Sequence, residues 1–186
     1  MMLSIIEYKA ACKKTIIFLE EAGFILNKDE KNRIQVVEYG LDNLELIGLQ
    51  LVEYINTERC CAKELVLFRR QTCPEHRHPE INGKLGKEET FRCRRGIVYL
   101  YVEGIPTLNI HAKLPIGKEH TFTVFHEIVL KPGDQYTIMP NTRHWFQAGE
   151  DGAIISEFST KSIDEKDIYT DKEIIADCNR IVEENI

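Results

Sequence analysis

The chain has no apolar run longer than residues 97–102, far short of the roughly 20 residues that a membrane-spanning helix needs. It has no Cys-x-x-Cys pair. Its six cysteines are irregularly spaced, and two of them, Cys60 and Cys61, are adjacent. That pattern fits neither a thiolate zinc site nor a disulfide framework, and a chain of 186 residues buries enough surface to fold without staples. Reduced thiols and a cytoplasmic location are the expectation. A basic excess is also missing: 24 Lys and Arg stand against 30 Asp and Glu, for a formal net charge of −6. Binders of nucleic acid neutralise phosphates with cations, so no nucleic-acid partner is expected, and no membrane partner either. The first residues, Met-Met-Leu-Ser-Ile-Ile-Glu, lack a basic segment followed by an apolar one, so no secretory signal is read there. There is no internal repeat and no linker.

The charge that is present is unevenly spread. Residues 161–186 hold eight acidic and four basic side chains, whereas 69–119 hold ten basic and six acidic ones. The second stretch suits an anionic or polyhydroxylated ligand, and equally a set of solvated strand faces.

Ser4 with Glu7 forms a capping box. Ile5, Tyr8, Cys12, Ile16 and Leu19 follow at helical spacing, and Gly23 is a stop. Residues 27–32 read as a polar loop. Asp42 with Glu45 repeats the capping signature and predicts a short second helix over 42–48. The pattern then turns to strands over 49–55, 64–68, 91–102, 107–113, 121–130, 135–139, 145–148 and 153–159, separated by Gly, Pro and Asn turn signals. Many short strands at this spacing predict a β-sandwich or barrel. In the tail, Ile174, Ile175, Cys178 and Val182 fall at helical spacing and predict a helix within 171–186. The expected organisation is a single domain over 1–186: a helical N-terminal extension over 1–47, a β-barrel over 48–160, and an acidic, partly helical tail over 161–186.

All six histidines lie between positions 76 and 144. His76 and His78 are separated by one residue, so an extended strand puts both rings on one face, close enough to grip a single ion. His-x-His alone is a weak signal. Glu89 and six further residues precede Gly96, and Gly133 is followed eleven positions later by His144, with Pro140 between them. Four ligand positions at these intervals favour a mixed imidazole–carboxylate metal site with no thiolate, suited to a first-row divalent cation. Lys87 lies two residues before Glu89 and shares its face in a strand, where an ammonium beside the metal would bind a hydroxyl or move protons; an exposed loop lysine is the alternative. Glu157 is an acid in the last apolar strand, placed either at an edge or in the pocket. Asp167 reads as part of a solvated charge run, with a lid residue as the other possibility. His126 shares a face with Phe122, Val124 and Ile128 and reads as a core histidine. His111 lies on a polar face, inside or outside the barrel, and His120 in a turn.

The His76, His78, Glu89, Gly96 set, with Gly133, Pro140 and His144, resembles the two motifs of the cupin superfamily. Ten residues separate His78 from Glu89, longer than the usual gap. The strings Cys-Pro-Glu-His-Arg-His-Pro, Lys-Glu-Glu-Thr-Phe-Arg-Cys, Val-Tyr-Leu-Tyr-Val-Glu-Gly and Lys-Pro-Gly-Asp-Gln-Tyr-Thr-Ile resemble one branch of it, the D-lyxose ketol-isomerase family, over roughly residues 40–170. The resemblance implies a mainly β fold, a single cupin-type jelly-roll barrel with N-terminal helices. It implies a metal held by His76, His78, Glu89 and His144, with Mn²⁺ as the cofactor. The implied activity is interconversion of D-lyxose and D-xylulose through a cis-enediol, with D-mannose and D-fructose as the longer analogues. Glu157 resembles the family's catalytic acid/base position, and Lys87 is the second catalytic candidate. Two other readings share the ligand set: an iron-dependent cupin dioxygenase and a non-catalytic sugar-binding cupin. The expected partner is a small aldose or ketose, and the expected assembly is a homodimer.

Overall fold

The computed structural model describes residues 3–175. Helix α1 (Ile5–Glu21) starts as its capping box dictates: Ser4 Oγ accepts from Glu7 N at 3.2 Å, and Glu7 Oε2 accepts from Ser4 N at 2.9 Å. It buries Ala11, Thr15 and Leu19. With Cys12, Ile16 and Phe18 it covers Val52, Val66 and Ile154 on the outside of the sheet. The segment 27–32, expected as a loop, is a short helix, α2 (Lys28–Asn32). It carries the same device as α1, since Asn27 and Glu30 cap each other's backbone. The helix expected over 42–48 does not form. Asp42 has a φ of 54°, whereas an N-cap residue is extended. Its N–H donates instead to Glu38 Oε2 at 2.9 Å.

The strands are β1 (Gln35–Val37), β2 (Leu49–Asn56), β3 (Cys61–Leu67), β4 (Thr72–Arg77), β5 (Glu89–Val102), β6 (His126–Leu130), β7 (Gln135–Ile138), β8 (His144–Ser159) and β9 (Ile168–Tyr169). They pair antiparallel in the order β1-β2-β3-β8-β4-β9, and β5 joins β6, β7 and β8. The result is a curled sheet with the mainly β, jelly-roll character that the sequence implied. Strand β8 is the spine. Its first residues pair with β4, its last with β3, and nearly all of it with β5. The two strands expected over 145–148 and 153–159 are therefore one. The glycine-flanked stretch between them bulges, with the register on β5 moving from Gly96–Ala153 to Val98–Ala148. Gly96 must be glycine here: its φ is +75°, and a Cβ would lie 2.0 Å from the Gly152 carbonyl oxygen.

Residues 107–113 form a loop rather than a strand, and 121–130 divide into a single 3-10 turn (Glu119–Thr121) and β6. That loop region covers the outer face of β5 and β8, where Trp145 stacks on Tyr101 at 3.9 Å and donates to the Val124 carbonyl at 2.7 Å. Such a stacked aromatic pair contributes about 1 kcal/mol beyond its buried area. The inner core is formed by Leu51, Leu65, Phe91, Leu100, Phe146 and Ile155, among others. Of the tail expected to be helical, residues 171–175 are bend, turn and coil, and Cys178 and Val182 lie outside the described residues. The five described cysteines are free thiols. No helix among the described residues is long and apolar enough to cross a membrane.

Candidate metal centre

Strand β4 brings His76 to the inner wall through a bulge. Cys73 pairs with Phe146 and His76 with His144, so the register slips at Pro74–Glu75 and lets Cys73 and His76 face the same cavity. Glu75 then points outward, where its carboxylate accepts from Thr123 N, Val124 N and the Thr170 hydroxyl and fixes the strand against its cover. The long gap between His78 and Glu89 is taken up by a loop that turns at Ile81–Lys84 and packs Gly86 onto the His78 backbone, where no Cβ would fit. The chain re-enters the sheet at Glu89, the first residue of β5.

One ligand atom from each of His76, His78, Glu89 and His144 falls within a set spanning no more than 4.8 Å, and all four residues are buried. The three rings lie 4.2–5.3 Å apart by centroid. Each ring uses its Nδ1–H elsewhere: His76 on the Pro74 carbonyl at 2.8 Å, His144 on the Thr142 carbonyl at 2.9 Å, and His78 on Asp167 Oδ1 at 2.6 Å. Such outer bonds fix the tautomer and leave the Nε2 lone pairs of His76 and His144 for an ion, while His78 Nε2, 3.0 Å from Glu89 Oε1, offers its own once its proton leaves. His144 Nε2 is buried and makes no hydrogen bond, although Glu89 Oε1 is 2.9 Å away. A cation between this buried nitrogen and the carboxylate would satisfy both. The cluster fits a divalent metal.

The electrostatics agree. Burial, together with His144 and His78, holds His76 well below its ordinary pKa, so its imidazole is neutral. Burial and Lys87 work against charge on His78, but Glu89 and Asp167 outweigh them and push it up to about 9. An incoming cation therefore displaces a proton shared among these groups. Burial opposes the charge on Glu89, yet the charges of Lys87 and His78 hold its carboxyl well below the usual range. Burial likewise opposes the Lys87 ammonium, and Glu157 and Glu89 hold it well above its ordinary value.

Lys87 is thus a buried cation rather than an exposed loop lysine. Its Nζ bridges Glu89 Oε2 at 2.8 Å and Glu157 Oε1 at 3.1 Å. Glu157 lines the cavity and is not at an edge. Its Oε1 also accepts from Ser159 Oγ at 3.0 Å, which leaves Oε2 without a hydrogen bond among the described residues. Of the solvated run expected around Asp167, residues 164–166 are exposed but Asp167 is not: its side chain is 9% exposed, and burial raises its pKa against the pull of His78 and Lys87. His126 is half-buried and bonds the Ile105 carbonyl at 3.0 Å, so it anchors a loop and is not in the core. His111 stacks on Tyr99 outside the barrel and bonds Glu127, and His120 sits in the 3-10 turn.

The sequence reading missed Lys63, Asp164, Tyr39 and Tyr169, all of which line the cavity. Lys63 had a legible signal. It lies on the inward phase of β3, two residues from Cys61 and from Leu65, but the strand was expected to begin at Glu64.

No family model matches the chain. Curated relatives do. A D-lyxose ketol-isomerase of Thermofilum sp. (strain ex4484_79) is 59% identical over 166 residues, covering 89% of this chain and 92% of that one. A D-lyxose/D-mannose isomerase of Thermosediminibacter oceani is 58% identical over 173 residues, covering 93% and 96%. The chain belongs to the D-lyxose ketol-isomerase family. Among solved structures, the L-ribose isomerase of Acinetobacter sp. DL28 superposes with a TM-score of 0.79 at 13% identity, over 96% of this chain and 97% of that one. That of Cellulomonas parahominis gives 0.76 at 15% identity, over 93% and 95%. At such identities the likeness shows the fold, and this D-lyxose ketol-isomerase family member shares the cupin-like barrel of both.

Proposed function

We propose that the chain is a metal-dependent aldose–ketose isomerase that interconverts D-lyxose and D-xylulose, with D-mannose and D-fructose as the longer pair. One observation carries this: a carboxylate with an open oxygen, Glu157 Oε2, shares a cavity with a buried His₃Glu cluster. It does so in a chain 55–59% identical to proteins named for that activity. His76, His78, Glu89 and His144 would hold a divalent cation, which we assign as Mn²⁺ and which, when bound, would supply Lewis-acid polarisation of a carbonyl.

The chain's own groups do the rest. Glu157 removes the proton from C2 of the open-chain aldose and returns it to C1 on the same face, through a cis-enediol. The O2 hydroxyl proton passes to O1, so atoms balance between aldose and ketose. Lys87, held charged between Glu89 and Glu157, fixes the rotamer of the base and keeps a positive charge beside the enediolate. Asp167 orients His78. The apolar walls, Leu51, Leu65, Phe91 and Phe146, exclude water around the intermediate.

We assign the working form as a single-domain chain and a homodimer in the cytoplasm. The exposed Ile105, Leu108 and Ile116 on one loop give a second copy an apolar surface to cover. The test of the function is an assay of metal-stripped protein with and without Mn²⁺ on a panel of aldoses. Ketose formation from D-lyxose that depends on added metal is the expected result. Oxygen uptake by an Fe²⁺-loaded sample without ketose formation would overturn it.

A further inference from the structure

Resting on the isomerase reading, we propose that Lys63, seated by Asp164, binds the terminal hydroxyl of the substrate and sets selectivity for the far end of the sugar. Groups of alternating charge cross the cavity. The metal cluster ends in Glu89; Lys87 Nζ bridges Glu89 and Glu157 at 2.8 and 3.1 Å. Lys63 pairs in register with Glu157 across β3 and β8, one strand further from the metal. A sugar with C1 and C2 between the cluster and Glu157 therefore extends its remaining carbons toward Lys63.

Lys63 is built to receive it. Its side chain is 3% exposed, and its ammonium has three N–H donors. One goes to Ser162 Oγ at 3.0 Å and one to Asp164 Oδ2 at 2.9 Å. Glu53 Oε2, at 3.8 Å, is beyond hydrogen-bond range. Among the described residues nothing takes the third donor, which is left for the cavity that Lys63 and Asp164 line. The support is rigid: Asn56 bonds both the backbone N–H and the carbonyl of Ser162, and Ser162 Oγ donates to Asp164. A buried cation whose partners lock it in place and leave one donor open recognises an oxygen acceptor with little ordering cost. Leu49, Leu51 and Leu65 on the same walls give the carbon chain an apolar bed.

The test compares kcat/KM for D-lyxose with that for 5-deoxy-D-lyxose in wild type, Lys63→Met and Asp164→Asn. The open-chain fraction of each sugar is a property of the sugar, so it cancels when the ratio is compared between enzymes. A loss of packing or charge alone lowers both sugars equally and leaves the ratio unchanged. The ratio is expected to fall at least ~10-fold in Lys63→Met, the scale of a hydrogen bond to a charged group. It should fall by a smaller factor in Asp164→Asn, with the loss for D-lyxose in KM rather than kcat. A ratio within about 2-fold of wild type in both variants would overturn the proposal. If Lys63→Met does not fold, the half-exposed Asp164 decides: an unchanged ratio in Asp164→Asn overturns the proposal, and a reduced one supports it. Failure of the isomerase reading looks different, because wild type then turns over neither sugar; that result overturns this proposal as well.

Discussion

Glu157 and Glu64 are both buried, at 3% and 6% exposure, on opposite faces of the same pair of strands. Glu157 faces the cavity and meets the Lys87 ammonium and the Ser159 hydroxyl. Glu64 faces outward, on the side that Val66 and Ile154 share with α1. Among the described residues, its two oxygens accept only from Ser156 Oγ, at 2.9 Å. Burial pushes the Glu64 carboxyl up to about 7, against Ser156 and the charge of Arg94. On the inner face, cations hold Glu89 well below the usual range in spite of burial. Both faces exclude water, so it is the neighbouring charge that differs. Where burial outweighs a distant cation, as at Glu64, the carboxyl favours its protonated form and acts as a packing group. Glu89, with the Lys87 ammonium 2.8 Å away, stays ionised as a metal ligand should.

The sharpest break in that comparison is expected at the metal. His144→Ala removes a ring whose Nε2 has no other partner. It should lose bound metal by elemental analysis and lower kcat/KM at least ~10³-fold, the several kcal/mol that metal-ion catalysis supplies. Next, Glu157→Gln should keep metal and thermal stability while kcat falls at least ~10²-fold, the usual size of a general-base contribution. Wild-type kcat in that variant would remove the inner face's claim to chemistry. Asp167→Ala leaves all four ligands in place but frees the His78 ring. Metal titration should show affinity reduced by about 10–100-fold.

The smallest effect belongs to the outer face. A carboxyl whose pKa rises from 4.5 unfolded to about 7 folded binds its proton more tightly in the native state. Its stabilising contribution is complete below pH 4.5 and is lost as pH rises through about 7. Glu64→Gln should therefore match wild type at pH 4 and exceed it at pH 8 by on the order of 2–3 kcal/mol in urea unfolding. Its kcat should be unchanged. A pH-independent difference would mean that Glu64 is ionised in place.

The metal ligands were legible because the donors come in short-range pairs and fixed intervals: His76 with His78, and Glu89 and His144 each tied to a glycine turn. Glu157 was legible as an acid among apolar neighbours. Lys63 had only its inward phase in β3 to show it, and its pairing with Asp164 was not legible, since the two lie about a hundred positions apart and meet only because β3 pairs with β8. Helix α2 carried the same capping pair as α1, but five residues are too few to show a periodicity. Asp42 with Glu45 carried the pair without the helix, because the left-handed backbone at Tyr39, Gly40 and Asp42 turns the chain the other way. A local motif thus misleads where the backbone conformation around it is set by tertiary contacts.

The central claim is that Glu157 shuttles a proton between C2 and C1 beside the buried cluster. Turnover of D-lyxose in D₂O, read by NMR of the product, tests it most directly. A shuttled proton exchanges with solvent before it returns, so deuterium should appear at C1 of D-xylulose, and its rate of appearance should collapse in Glu157→Gln. Complete retention of a C2 label at C1, with no solvent deuterium in the product, would contradict the account and require direct hydride transfer.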